Sequence, residues 1–117
     1  MKYGLFLYED EANFFGASEA RQGEIIAAYM AYGEALNAAG VFVAGEALEP
    51  SKTGALVRMQ GGVRDVQDGP FADVKEQLGG FYVIDVPDLD TALDWAAKCP
   101  AAEHGEVEVR PAVVFDN

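Results

Sequence analysis

Two stretches of this chain read as β-strands that are apolar on both faces, and they constrain the fold more than any other feature. In Lys2 to Tyr8, Tyr3, Leu5 and Leu7 alternate with Phe6 and Tyr8; in Gly80 to Val86, Tyr82, Ile84 and Val86 alternate with Phe81 and Val83. A strand of this kind is covered on both sides. Any sheet built around these two strands therefore needs one layer on each face.

The rest of the chain supplies one such layer. Ser18 is placed as the N-cap of a long helix to about Ala39, with Glu19 favourable in its first turn and Gly40 as its stop. Ile25, Ile26, Tyr29, Met30, Gly33 and Leu36 recur at spacings of three and four along one stripe. Asp88 caps a second helix running to about Lys98, with Leu89, Ala92, Leu93 and Ala96 on its stripe and Pro100 as its stop. Between the helices, Thr53 to Met59 and Val63 to Gln67 form a hairpin about Gln60-Gly61-Gly62. Val41 to Val43 reads as a short apolar connection, Gly45 to Pro50 leads away from it, and Glu9 to Ala17 reads as a loop with a solvated acidic start. Glu106 to Arg110 is the last strand.

Counting the hairpin as one unit, the order is β-α-β-β-α-β, which folds as a ferredoxin-like α+β sandwich, an antiparallel sheet with both helices on one face. The other face is left bare although its residues are apolar, at a cost of roughly 25 cal/mol per Å². A second copy of the chain is the simplest cover. The 117 residues fit one domain, residues 1–117, with no linker or repeat.

Charge narrows the partners. Eight Lys and Arg stand against 20 Asp and Glu, for a net charge of −12. Nucleic acid needs clustered cations, and anionic membranes attract them, so neither is an expected partner. No apolar run approaches the roughly 20 residues of a membrane span, and Glu9-Asp10-Glu11 stands where a signal peptide would need its cleavage site. A cytoplasmic location is the expectation. The lone Cys99 has no cysteine partner and reads as a small buried thiol; no Cys/His cluster points to metal, and no cofactor is expected.

Asp68 to Phe71 spells DGPF, and the run DGPFADVKEQLGGFYVIDVPDLDTALDWAAKCPAAEHGEVEVRP resembles the DGPF branch of the YCII-related (YciI-like) domain family. Lys2 to Leu7 and Gly45 to Pro50 share the likeness, which spans essentially the whole chain. The resemblance implies a ferredoxin-like dimeric α/β barrel, a fold that also hosts muconolactone isomerases and cofactor-free monooxygenases. In the YciI branch the suspected catalytic pair is a His on the first helix with an Asp; here that helix carries Tyr29 and Tyr32 and no His. The resemblance further implies a genomic neighbourhood of extracytoplasmic-function sigma factors.

Two functions follow. One is a cofactor-free enzyme moving a proton on a small anionic or lactone-like metabolite. Its acid/base candidates are Glu46, Tyr29, Tyr32 and His104. Asp68, Phe71, Lys75 and Glu76 lie on or beside a covering segment from Asp68 to Gly79, and Arg58 is a guanidinium for an anion. The expected pocket lies between the long helix and the sheet. The alternative is a non-catalytic ligand-binding or protein-interaction homodimer linked to transcriptional regulation.

Overall fold

A computed structural model describes residues 1–70 and 75–115. Its main sheet is antiparallel throughout and has the strand order β2-β5-β1-β6, from β1 (Lys2–Glu9), β2 (Phe42–Ala47), β5 (Gln77–Asp85) and β6 (Glu106–Pro111). The connections run through α1 (Ala12–Phe15), α2 (Glu19–Ala38), α3 (Leu89–Lys98) and α4 (Ala101–His104).

Strand β1 lies at the centre because it is apolar on both sides. Tyr3, Leu5 and Leu7 are buried on the helix side, while Phe6 and Tyr8 are half-buried on the other. Directly opposed residues of antiparallel strands share a face. The register sets Leu5 against Tyr82 and Val109, and Phe6 against Phe81 and Glu108. The helix-side core adds Tyr32 and Leu36 from α2, Ala92 and Ala96 from α3, and Ile84, Cys99 and Ala101. Both long helices are capped as their sequences require: Ser18 accepts from the Arg21 N–H at 3.2 Å, and Asp88 accepts from the Thr91 N–H at 2.8 Å.

The second strand of the ferredoxin-like pattern is Phe42–Ala47, where the sequence reads as a connection. Gly45 and the nearby Pro50 disguise it. Gly45 is needed there, since a Cβ would come within 2.7 Å of the Tyr82 ring. The hairpin of β3 (Ala55–Gln60) and β4 (Val63–Asp68) correspondingly lies outside the main sheet, as a two-stranded sheet of its own. Its turn residues Gly61 and Gly62 have φ of 55° and 79°, the left-handed values that a tight hairpin turn demands. The acidic loop also differs from expectation: it contains the single-turn helix α1, whose start is held by Asp10 Oδ1 accepting from the Ala12 N–H.

The hairpin carries more apolar residues on one face than on the other. Ala55, Val57 and Met59 of β3 share a face with Val66, Arg64 and Asp68 of β4, while Arg58 opposes Asp65 on the other face, which also carries Leu56 and Val63. Val57 and Met59 are 61% and 65% exposed. The molecule is thin, 49 × 45 × 18 Å, with a radius of gyration of 16.2 Å. About 13 Å is usual for a compact domain of this length.

Candidate functional site

Glu9 and Tyr29 form the polar focus of a cleft between α2 and the sheet. The strand alternation that buries Tyr3, Leu5 and Leu7 carries on to Glu9, so this carboxylate emerges on the helix side. There Tyr29 Oη donates to Glu9 Oε1 at 2.6 Å. Glu9 Oε2 accepts no hydrogen bond from any described residue. Burial, the hydrogen bond to Glu9 and the carboxylate's charge together push the Tyr29 phenol far above its usual range. Tyr29 is therefore a fixed proton donor to the carboxylate and not a base.

The cleft encloses about 430 Å³. Phe14 and Phe15 of α1, with Ile25, Ile26 and Met30 of α2, supply its apolar walls. The strand edges at Gly45, Ala47, Gly79 and Gly80, with Tyr82 and Leu48, complete it. The exposure of Ile26 and Met30, 49% and 63%, thus falls on a concave surface. Glu11 also borders the cleft, but its carboxylate is occupied: Ser51 donates to it from N–H at 2.9 Å and from Oγ at 2.7 Å. That clamp ties the chain after β2 to the start of α1. A largely apolar concavity with one convergent polar pair has the usual form of a small-ligand site.

A second hollow of about 350 Å³ lies across the Glu9–Tyr29 wall, lined among others by Arg21, Glu24, Glu103 and His104. His104 is half-exposed there, 4.0 Å from the Glu103 carboxylate. Arg21 is paired with Glu24 at 2.9 Å.

Of the residues singled out from sequence, the structure brings only Tyr29 to the cleft with its side chain. Glu46 contributes to the wall, but its register opposite Phe81 puts its side chain on the far face of the sheet. Tyr32 is a core residue: its hydroxyl donates to the Trp95 carbonyl at 2.8 Å and joins α2 to α3, and burial pushes its pKa upward. His104 borders the second hollow and not the cleft. Arg58 is exposed on the hairpin, Asp68 ends β4, and Lys75 and Glu76 precede β5; none of the four lines the cleft. Phe71 lies outside the described residues together with positions 72–74 of the expected cover; of the rest of that segment, Gly79 lines the cleft. Glu9 and Glu11, read from sequence as solvated, are the carboxylates at the site. The signal that could have found Glu9 is its parity with Leu5 and Leu7.

Cys99 is buried at the end of α3, and burial pushes its thiol up to about 11. It stays protonated near neutrality and borders neither hollow.

The fold and cleft define a small ferredoxin-like α+β protein with a ligand-sized concavity between sheet and helix. The chain belongs to the YCII-related domain family, whose profile matches residues 1–116. It is similar to an uncharacterized protein of Rhizobium meliloti (strain 1021), 35% identical over 117 residues, covering 98% of this chain and 94% of that one. Among solved structures it is similar to the 5-chloro-2-hydroxyhydroquinone dehydrochlorinase of Burkholderia phenoliruptrix AC1100 in complex with 2,5-dihydroxybenzoquinone. The TM-score is 0.57 at 15% identity, over 97% of this chain and 94% of that chain. At that identity the likeness speaks for the fold. Among the described residues no helix is long and apolar enough to cross a membrane.

Proposed function

We propose that this chain is a small enzyme that moves a proton on a compact metabolite, lactone-like in size, using its own side chains. The observation that carries this reading is the 2.6 Å Tyr29–Glu9 hydrogen bond in the wall of a largely apolar cleft. Glu9 takes a proton from the bound molecule and returns it to another of its atoms. Tyr29 holds the carboxylate in place, and its raised pKa keeps it a donor throughout. The enzyme title of the solved neighbour supports catalysis on this fold only as analogy. The DGPF sequence favours that branch of the family, and the absence of a membrane-length helix among the described residues is compatible with the cytoplasmic location we favour.

The assembly we propose is a homodimer through the sheet face opposite the helices. The Phe6–Phe81 pair supports it, with Val83 on the same face. The exposed Val57 and Met59 of the hairpin favour the alternative reading, a protein-interaction dimer in a regulatory setting, as an additional or replacing role.

The test is hydrogen exchange. Small lactones that stabilise the protein in a thermal-shift screen are incubated with it in D2O, and NMR follows loss of their C–H signals. Wild type is expected to exchange a specific position, and Glu9→Gln to slow this by at least about a hundredfold. Binding without exchange for every hit would replace the enzyme reading with the binding one.

A further inference from the structure

We infer that the cleft rejects anions and selects an uncharged small ring carrying a hydrogen-bond donor, whose proton faces the free oxygen of Glu9. This inference rests on the reading of the cleft as a ligand site and names the class of molecule it takes.

Among the described residues that line the cleft, every residue with a titratable side chain is a carboxylate or a tyrosine; none is Lys, Arg or His. Glu11 has its carboxylate engaged by Ser51, and Glu46 directs its side chain to the other face. Glu9 is left as the group that meets a ligand. Its Oε1 accepts from Tyr29, and its Oε2 has acceptor capacity with no protein partner among the described residues. A hydroxyl or N–H on the ligand satisfies that oxygen. A ligand carboxylate sets two negative charges together in a half-enclosed apolar space, where their repulsion is far stronger than in water. No Lys, Arg or His among the described lining residues is there to relieve it. Arg21 and His104 border the hollow across the Glu9–Tyr29 wall, Arg21 is already paired with Glu24, and Arg58 is on the hairpin. The net charge of −12 adds a long-range field of the same sign. An anionic metabolite, expected from Arg58, meets no counter-charge among the described residues of this cleft.

Phenol and benzoate, similar in size and different in charge, separate the outcomes. Binding is read from the methyl NMR signals of Ile26 and Leu48, which line this cleft and not the second hollow. Phenol is expected to shift both signals, and benzoate to bind at least about tenfold more weakly. Glu9→Gln is expected to narrow that gap by improving benzoate. Should this variant fail to fold, raising the salt concentration on wild type does the same work: screening should strengthen benzoate relative to phenol. Benzoate binding at these methyls as tightly as phenol would overturn the inference and leave the cleft a ligand site. If neither molecule shifts them at millimolar concentration, the ligand-site reading fails and the inference with it.

Discussion

Gly105→Ala is expected to destabilise the protein by about 3 kcal/mol or more, at or above the upper end for overpacking a core. Gly105 joins α4 to β6, and a Cβ on it would lie 2.0 Å from the Tyr8 carbonyl oxygen and 3.1 Å from the Tyr8 carbonyl carbon. Those are backbone atoms of the central strand, paired at Tyr8 with Glu106, so no side-chain rotation relieves the clash. Either β6 moves away from β1 or the end of β1 moves, and the next residue along β1 is Glu9. The melting temperature should fall by roughly 10 °C or more for a domain of this size. Gly23→Ala is the control. Nothing lies within 4 Å of the Cβ it would add on exposed α2, so it should be neutral or gain up to about 1 kcal/mol. A Gly105→Ala melting curve coincident with wild type would contradict this account of the β1–β6 junction.

In the homodimer proposed above, Phe81→Asp is expected to give monomer, or to aggregate through the exposed hairpin. Phe81 is paired with Phe6 across the β1–β5 ladder, on the face opposite the helices among the described residues. Burying a phenylalanine contributes about 2 kcal/mol, and a two-fold interface contains the residue twice. Losing about 4 kcal/mol raises the dimer dissociation constant roughly a thousandfold. Sedimentation of wild type and variant at micromolar concentration reads the result. A well-folded wild-type monomer would remove the dimer from the account.

What was legible in the sequence follows from how local each signal is. The two central strands, both long helices, their Ser18 and Asp88 caps and the hairpin turn are set by residues within a few positions of one another, and all are present in the structure. Strand Phe42–Ala47 was not legible. Its Gly45 answers to the Tyr82 ring, a residue distant in sequence, and locally it resembles a turn. Missing that strand gave the hairpin a place in the sheet that belongs to Phe42–Ala47. The site shows the same division. A pocket against the long helix could be read from the stripe containing Ile25, Ile26, Tyr29 and Met30. The partner of Tyr29 could not be read from the acidic run alone, because Glu9-Asp10-Glu11 looks solvated until the alternation of β1 is carried one residue past Tyr8. Glu46 misled for the opposite reason: it lies at the right place in the chain with the wrong parity, facing away with Phe81.

The central claim is that small molecules bind beside the Glu9–Tyr29 pair, and the five tyrosines report on it directly. In protein labelled with carbon-13 at the tyrosine Cζ, each resonance can be assigned by Tyr→Phe substitution and followed as phenol is added. Tyr29 and Tyr82 line the cleft; Tyr3 and Tyr32 are buried in the core, and Tyr8 faces the opposite side of the sheet. Saturable shifts are expected at Tyr29 and Tyr82, the larger at Tyr29, with the other three unmoved. Shifts confined to Tyr8, or no saturable shift at Tyr29, would contradict the claim.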